Sequence, residues 1–332
     1  MPWRAPHGAV PDPYRVWLSE AMLQQTTVAA VIPYYERFVS RFPDIATLAA
    51  AEESAVMEAW AGLGYYARAR NLHACARQVA ARGGFPRDPD GLRVLPGIGP
   101  YTATAIAAIA FGVPGVPVDG NVVRVAARIG AIAAPLPGAR PAIEAVAARL
   151  GEDPAARARP ADFAQALFDL GATICTPTAP ACVLCPWREG CAGHRAGIAG
   201  ELPRKAPKPA RPERFGAHFW LEDAAGNVLL RRRPARGLLG GMLELPGTVW
   251  RDAPWTAAEA LAEAPVAASW RHAGMVRHGF THFALTIEVY AARVATIGTA
   301  AGMARPVAGL GAEALPSVMR KCVAVVVGEA GG

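Results

Sequence analysis

The sequence predicts a protein of two domains that differ in class, an all-α N-terminal domain and a smaller α+β C-terminal domain. The first observation is helical spacing of apolar residues from Pro13 to about Leu170, with almost no strand alternation. Ala-rich segments at 48–60, 101–111 and 122–132 are separated by Gly and Pro residues. This punctuation is typical of helices joined by short turns.

The second and third observations are a change of composition and a change of pattern near residue 200. Residues 195–214 are rich in Pro, Lys and Arg, which is typical of a semi-rigid basic linker. Beyond it we expect strands at 217–221, 228–232 and 283–291 and a helix at 256–264. The domains are therefore expected at 1–195 and 214–332, joined by a linker at 196–213.

Composition limits the classes of protein. Of 332 residues, 52% are hydrophobic, enough for ordinary cores, and the net charge of +7 suits a polyanionic partner without requiring one. The uncharged run 94–118 is interrupted by Pro and Gly, so we do not expect it to span a membrane. No secretory segment follows Met1. A soluble intracellular protein is expected, in which clustered cysteines favour a metal over disulfides.

Four cysteines lie close together in a Pro-rich segment, at Cys175, Cys182, Cys185 and Cys191. Four thiolates at such density suit a metal centre, either zinc or an iron–sulfur cluster, with disulfides as a weaker alternative. The six-two-five spacing resembles the [4Fe–4S] loop of the endonuclease III and MutY repair superfamily, which implies such a cluster at 175–191. Cys75 and Cys322 stand alone and are expected in packed positions.

A glycine-rich turn precedes the apolar helix 101–111. Residues 95–102 read LPGIGPYT, so Gly97 and Gly99 let the backbone approach a ligand while free N–H groups at the helix start face an anion. An ordinary turn is the alternative. Together with the cysteine loop, the segment resembles the helix–hairpin–helix of the same superfamily, which implies DNA contacts at Gly97, Gly99 and Thr102.

Cleavage of an N-glycosidic bond needs an acid that protonates the departing base and an anion that stabilises the sugar cation. Two carboxyl groups in this sequence have surroundings that suit these two roles. Glu20 lies in an apolar segment, so its proton would be retained near neutrality if the side chain faces inward. Asp119 precedes a helix, where the macrodipole and free amides favour the ionised form. A solvated Glu20 and a purely capping Asp119 are the alternatives.

The segment 18–26 reads LSEAMLQQT and is close to the LSE-x-MLQQT signature of the MutY adenine glycosylases. Further matches are IPYYERF at 32–38, GLGYYARARNL at 62–72 and VDGNV at 118–122. The resemblance implies that Glu20 protonates adenine N7 and that Asp119 stabilises or traps the sugar cation. Tyr101 and Asn121 match positions that support this intermediate.

The same resemblance implies the remaining binding residues. Gln24, Gln25 and Tyr65 would contact DNA, with Gln24 and Tyr65 wedged into the duplex beside 8-oxoguanine, which offsets part of the cost of flipping adenine out. Trp3, Arg4 and Gln165 would line the adenine pocket. Family members normally have a helix ahead of the segment that matches Pro2-Trp3, which is not present in this sequence.

The residue at position 101 distinguishes the reaction types within the superfamily. Endonuclease III-like lyases have a nucleophilic lysine at the hairpin position that Tyr101 occupies, and no Lys occurs between Met1 and Ala199. Without an amine no Schiff base forms, so a monofunctional glycosylase is expected. A glycosylase/lyase for oxidised pyrimidines and a catalytically inactive binder of damaged DNA are the alternative functions.

The C-terminal part resembles the MutT/Nudix-like domain with which MutY proteins inspect 8-oxoguanine. Residues 237–247 look like its glycine-rich segment, but only Glu259 and Glu263 occur where a hydrolase needs a run of carboxylates for Mg²⁺. Phe280, Thr281 and His282 resemble the Phe-Ser-His loop that reads 8-oxoguanine. The implied protein is a monomer of the bacterial cytoplasm that acts on double-stranded DNA containing A:8-oxoguanine or A:G mispairs.

Overall fold

The computed structural model describes residues 1–6, 8–207, 210–234, 237–298, 300–313 and 315–329. The chain divides into two compact units, Met1–Pro207 and Lys208–Gly332. The linker expected at 196–213 crosses this division. Its Lys208 and Pro209 lie outside the described residues, and Ala199–Glu201 forms a 3₁₀ turn within the first unit.

The first unit is helical. Its described α-helices are α1 Pro13–Leu23, α2 Val28–Arg41, α3 Ile45–Ala50, α4 Glu53–Trp60, α5 Ala67–Ala81, α6 Pro89–Arg93, α7 Pro100–Phe111, α8 Gly120–Ile129, α9 Arg140–Gly151, α10 Pro154–Ala158, α11 Pro160–Asp169 and α12 Ala192–Arg195. A π-helical turn, Leu170–Ile174, follows α11, and a 3₁₀ turn, Cys182–Leu184, lies in the cysteine loop.

Local sequence explains how the helices that carry the site begin. At the start of α1, Pro13 occupies the first turn and the Asp12 side chain accepts a hydrogen bond from Tyr14 N at 2.9 Å. Pro100 opens α7 in the same way. Helix α7 consists largely of Ala and Ile, whose side chains are apolar. Helices α1 and α11 pack directly against it, and α7 is buried along most of its length.

Two apolar cores hold this unit together. One is built around Trp17, Phe38 and Trp60, and the other around Ile143 and Leu167. The helix expected over 48–60 is two helices, because the extended backbone at Ala51 and Glu52 separates α3 from α4. The helix expected to reach residue 132 ends at Ile129.

The second unit is a mixed sheet with helices on both faces. Its described strands are β1 Glu213–Asp223, β2 Asn227–Arg232, β3 Leu243–Glu244, β4 Arg271–Gly279, β5 Ala284–Val294 and β6 Met303–Pro306, and its α-helices are α13 Ala257–Ala262 and α14 Ser317–Glu329. The sheet order is β3-β2-β1-β5-β4, with β6 paired to β2. Strands β1 and β5 are parallel, with Glu213 opposite Ala284, and the other pairs are antiparallel.

The two faces of this sheet bury different side chains, as the two-residue period of a strand requires. Trp220 and Ile287 pack towards Met319 of α14, and Phe219 and Tyr290 pack towards Ala260 of α13. The three expected strands are present. Strands β3, β4 and β6 and helix α14 are not predicted from the sequence. Charged residues interrupt the apolar pattern of β4, and α14 has apolar residues around most of its circumference. Among the described residues, no helix is long and apolar enough to cross a membrane.

Candidate active site

A cavity of about 1420 Å³ in the first unit collects most of the predicted catalytic and base-binding residues. Its walls come from the N-terminal segment, from α1, α7 and α11, and from the start of α8. The predicted residues that line it are Trp3, Arg4, Glu20, Gln24, Gln25, Tyr101, Asp119, Asn121 and Gln165. Tyr65, Gly97, Gly99 and Thr102 do not line it.

Glu20 faces inward from α1. Its side chain is buried, at 7% exposure, and burial raises the pKa of its carboxyl to about 7. A hydrogen bond from the Tyr101 hydroxyl opposes this pKa shift, and the negative charge of Asp119 adds to it. The Glu20 carboxyl therefore holds a proton over the lower part of the neutral range, as its apolar sequence surroundings predict.

Asp119 caps α8 and is partly buried. Its Oδ1 accepts a hydrogen bond from Val122 N at 2.7 Å, and its Oδ2 accepts one from Asn121 Nδ2 at 3.0 Å. These bonds lower the pKa of Asp119, but burial raises it more, so the net shift is upward. The amides at the helix start favour the ionised form, as the sequence predicts, but the loss of hydration at this end of the cavity outweighs them in the net pKa shift.

Arg124 is a supporting residue that the sequence analysis misses. Its Nη2 donates to Asn121 Oδ1 at 2.8 Å and to Gly171 O at 2.6 Å, and its Nε donates to Cys175 O at 2.6 Å. Asn121 is thus held between Asp119 and Arg124. The available signal is the spacing of three residues between Asn121 and Arg124 on one helix, which places the two side chains on the same face.

The N-terminal segment forms one wall of the cavity. Arg4 makes a bidentate ion pair with Asp169, with its Nη1 and Nη2 at 2.7 and 2.6 Å from the two carboxylate oxygens. Trp3 packs edge-on against Tyr35, with ring centroids 5.3 Å apart. Gln165, on α11, also lines the cavity, and its Nε2 donates to Ala161 O at 3.1 Å.

The glycine-rich turn has the geometry of an anion site. Gly97 has φ +76°, and Gly99 is the exposed N-cap of α7. The backbone N–H groups of the first turn of α7 have no partner within the helix. Thr102 differs from its expected role: its side chain is 4% exposed and its hydroxyl accepts from Gln24 Nε2 at 3.5 Å. Its hydroxyl therefore meets Gln24 rather than DNA.

We expect Gly97→Ala to weaken binding to duplex DNA about tenfold, which corresponds to roughly 1.4 kcal/mol. Alanine at φ +76° is strained, and its Cβ would lie 2.9 Å from the Cβ of Asn71, so the turn must move. Fluorescence anisotropy at several salt concentrations measures the affinity. Gly200→Ala is the matched control, because no heavy atom lies within 4 Å of its added Cβ. Equal affinity of Gly97→Ala and wild type would contradict the proposed role of this turn.

Tyr65, a predicted wedge residue, and Gln25, a predicted DNA-contact residue, occupy strained, accessible turns, whereas the predicted wedge residue Gln24 is the half-buried C-cap of α1 with an ordinary φ of −58°. Tyr65 is 60% exposed and has φ +49°, and the exposed Gln25 has φ +57°. Non-glycine residues with positive φ cost about 1–3 kcal/mol and persist where neighbouring contacts fix them. Both turns therefore hold their side chains in defined positions outside the packed core.

The four clustered cysteines line one small cavity, together with Arg128 and apolar side chains. Arg128 is buried and donates to Cys175 Sγ at 3.2 Å, and the neighbouring thiols contribute to the raised pKa of Cys185, of which burial is the largest cause. Within the described ranges, no three His, Cys, Asp or Glu side chains are grouped so that they could hold a metal ion. The donor set suits an iron–sulfur cluster or zinc, but the thiols do not form a compact single-ion site.

Cys75 and Cys322 are fully buried in packed positions, as expected, and burial raises the pKa of each thiol to about 12. They lie in the apolar cores of the first and second units respectively. Neither cysteine lines the cavity of the cluster loop.

In the second unit, the predicted 8-oxoguanine residues lie at the turn between β4 and β5. Thr281 and His282 are exposed there, and Phe280 N donates to Phe283 O at 2.8 Å. The Phe280 ring packs against Trp250, with centroids 5.7 Å apart. The turn therefore exposes the Thr281 hydroxyl and the His282 imidazole, and the neighbouring Phe280 and Trp250 rings pack against each other.

The carboxylate of the glycine-rich segment 237–247, that of Glu244, is bound by two arginines. Glu244 is buried, and it accepts hydrogen bonds from Arg231 Nε at 2.7 Å and from Arg233 Nη1. Glu259, in the helix that follows, forms a capping box with Thr256 and a 2.7 Å ion pair with Arg251. These carboxylates are committed to structure rather than directed towards a cation.

Comparison with known proteins agrees with this architecture. Residues 18–145 match the model of the HhH-GPD superfamily of base excision DNA repair proteins, and residues 217–325 match the NUDIX domain model. The expected fold class is thereby confirmed, a helical helix–hairpin–helix unit followed by an α+β Nudix-like unit.

Curated relatives cover both units. The chain is 36% identical to the adenine DNA glycosylase of Homo sapiens over 87% of this chain and 63% of the human protein. It is 37% identical to that of Mus musculus, over 87% of this chain and 67% of the mouse protein. It is 39% identical to that of Mycolicibacterium smegmatis, over 64% of this chain and 71% of that protein. The chain thus spans about two thirds of the length of these relatives, and it belongs to the adenine DNA glycosylase family.

Proposed function

We propose that the protein removes adenine mispaired with 8-oxoguanine or guanine by hydrolysing the N-glycosidic bond. The observation that carries this proposal is the pairing of a proton-holding carboxyl and a capped carboxylate in one cavity. Glu20 has a pKa of about 7, and Asp119 is close enough for its charge to raise that pKa. Two carboxyls with different surroundings are what acid-assisted departure of a base requires.

The chemistry divides between these residues. Glu20 donates its proton to N7 of the flipped adenine, so that the base leaves neutral. Asp119 stabilises the positive charge that develops on the sugar. Its pKa is raised in the free protein, and the sugar cation would favour its ionised form. Tyr101 orients the Glu20 carboxyl through its hydroxyl, and Asn121 holds Asp119 Oδ2.

The reaction stops at base release. Position 101 is tyrosine, and the sequence contains no Lys from Met1 to Ala199, so no lysine of this segment is available to form a Schiff base with the opened sugar. We therefore infer a monofunctional glycosylase. The alternative, a glycosylase/lyase, needs a nucleophilic lysine at the position of Tyr101.

DNA binding involves several further features. The amides at Gly97, Gly99 and the start of α7 grip a phosphate. Gln24 and Tyr65 are wedged into the duplex, Gln25 contacts the DNA, and Trp3, Arg4 and Gln165 enclose adenine. The turn with Phe280, Thr281 and His282 reads 8-oxoguanine through hydrogen bonds from the hydroxyl and imidazole. The substrate is double-stranded DNA, and we place a monomeric enzyme in the bacterial cytoplasm.

Cys175, Cys182, Cys185 and Cys191 would hold a [4Fe–4S] cluster. A single zinc ion needs its four sulfurs about 2.3 Å from one centre, whereas a cluster distributes four thiolates over several irons. Such a cluster would fix the loop at 175–191. The donor set and shared cavity support this assignment, and the hydrogen bonds of Arg128 hold the loop in place.

The test is adenine release from an A:8-oxoguanine duplex, detected by heat-alkali cleavage of the abasic product. We expect release by wild type, no strand cutting before alkali, and no release from a thymine-glycol duplex. Asp119→Asn should slow single-turnover release by about 10²–10³-fold, because it removes the anion that stabilises the sugar cation. Equally slow release by wild type and Asp119→Asn would identify a catalytically inactive binder of damaged DNA.

A further inference from the structure

Arg68, on the first turn of α5, joins two segments of the site that are remote in sequence. Its Nη1 donates to three backbone carbonyls at the C-terminal end of α1, those of Ala21 at 3.1 Å, Met22 at 3.0 Å and Gln24 at 2.6 Å. The last carbonyls of a helix lack intrahelical partners and carry partial negative charge. The guanidinium therefore caps the helix that carries Glu20.

The second terminal nitrogen of the Arg68 guanidinium, Nη2, binds the turn that carries Tyr65. Arg68 Nη2 donates to Leu63 O at 3.1 Å and to Gly64 O at 3.4 Å, and it reaches Thr26 Oγ1 at 3.3 Å. These carbonyls immediately precede Tyr65. One rigid planar group thus spans α1, the segment after it and the turn before α5.

Aromatic contacts complete the junction. The Arg68 guanidinium lies over the Trp60 ring at 5.3 Å and over the exposed Tyr65 ring at 5.5 Å from their centroids. Such cation–π contacts restrain ring position. Since Tyr65 has φ +49°, its backbone requires support from neighbours, and the bonds to Leu63 and Gly64 supply it.

We propose that Arg68 is a positioning residue that couples insertion of Tyr65 into the duplex to the seating of Glu20 in the active site. A displacement of the Tyr65 turn is transmitted through the guanidinium to the end of α1, four residues from Glu20. This inference rests on the proposed function, because it assumes adenine release by Glu20 and entry of Tyr65 into DNA. It assigns Arg68 a role in the rate of base release rather than in affinity.

The test compares Arg68→Gln with Arg68→Lys. We expect Arg68→Gln to slow single-turnover adenine release by about 10²-fold, since a misplacement of 1 Å at a reacting group has an effect of that size. Its affinity for duplex DNA should stay within about threefold of wild type. Arg68→Lys keeps the charge but cannot span both segments, so its rate should lie between the two. Arg82→Gln, an exposed residue at the end of the same helix, is the charge-matched control.

Two further readouts separate positioning from general stability. The pH at which the residual rate of Arg68→Gln falls by half should move below that of wild type, because a displaced Glu20 is better hydrated. Tyr65→Leu should add little to Arg68→Gln in the double variant if both act through one junction. The coupling would be overturned if the rate losses of Tyr65→Leu and Arg68→Gln multiplied in the double variant. It would also be overturned if the pH midpoint of Arg68→Gln equalled that of wild type. If Arg68→Gln does not fold, Arg68→Lys decides through the same measurements.

The proposed function and the coupling fail in different ways. Absence of adenine release by wild type on every mispair would reject the function itself. Normal release by wild type together with an undiminished rate in Arg68→Gln would reject the coupling alone.

Discussion

Glu20→Gln should abolish base release and at the same time stabilise the folded protein. Glutamine keeps the shape of the side chain but cannot donate the proton to adenine, so single-turnover release should fall by about 10²–10⁴-fold, the usual contribution of a general acid. Wild-type release should decline as the pH rises through about 7, because the Glu20 carboxyl loses its proton there. One side chain therefore determines both the rate and its pH dependence.

The gain in stability follows from proton linkage. Unfolded Glu20 releases its proton near pH 4.5, whereas the folded protein retains it to about pH 7. Between these two pH values the free energy of unfolding of wild type falls as the pH rises. Above pH 7 the full destabilisation by the buried Glu20 carboxylate is present. A pKa difference of this size corresponds to at most about 3 kcal/mol. Glutamine carries no such cost, so the free energy of unfolding of Glu20→Gln should exceed that of wild type by up to this amount at pH 8.

Denaturant titrations of wild type and Glu20→Gln at pH 5, 6, 7 and 8 measure the effect. The difference in unfolding free energy should grow with pH up to about 7 and then remain constant. Glu36→Gln, which changes an exposed glutamate on α2, should show no such growth. A difference between Glu20→Gln and wild type that is the same at every pH would mean that the carboxyl is not desolvated in the folded protein.

The residues that the sequence predicted correctly are those whose environment is set locally. Glu20 lies in an apolar helical segment, so a retained proton is expected if its side chain faces inward, and it does. Gly97 and Gly99 stand where a tight turn meets a helix, and Asp119 stands at an N-cap position. In each case the neighbours that determine the conformation lie within four residues along the chain.

The residues that the sequence did not reveal depend on partners far away in the chain. Arg68 contacts Ala21 and Gln24, and Arg124 contacts Cys175, more than forty residues from each arginine. An arginine at helical spacing is typical of a solvated face, and the spacing of Asn121 and Arg124 indicates only their mutual contact, not the distant partners of either arginine. The net rise in the pKa of Asp119 has the same origin, since the desolvation that outweighs its local hydrogen bonds is produced by packing between helices.

Arg128→Met should destabilise the first unit by about 3–5 kcal/mol. Arg128 is 1% exposed, and its guanidinium donates to Leu202 O at 3.0 Å, Thr176 O at 2.8 Å and Pro177 O at 2.9 Å, in addition to the Cys175 sulfur. Methionine fills much of the volume but leaves the buried Leu202 carbonyl and the less buried Thr176 and Pro177 carbonyls without this donor, and a carbonyl that water cannot reach costs about 1–3 kcal/mol. The cysteine loop and the segment that follows it would both lose their hydrogen bonds to Arg128 of α8.

Denaturant unfolding measures the loss, and the visible absorbance of the proposed iron–sulfur cluster per mole of protein is the second readout. Arg149→Met, an exposed arginine on α9, is the control for the loss of a positive charge and should change stability by less than about 0.5 kcal/mol. If Arg128→Met unfolded at the same denaturant concentration as Arg149→Met, the buried guanidinium would not be holding the loop. The contrast is sharp because the two substitutions remove the same side chain and differ only in the partners left behind.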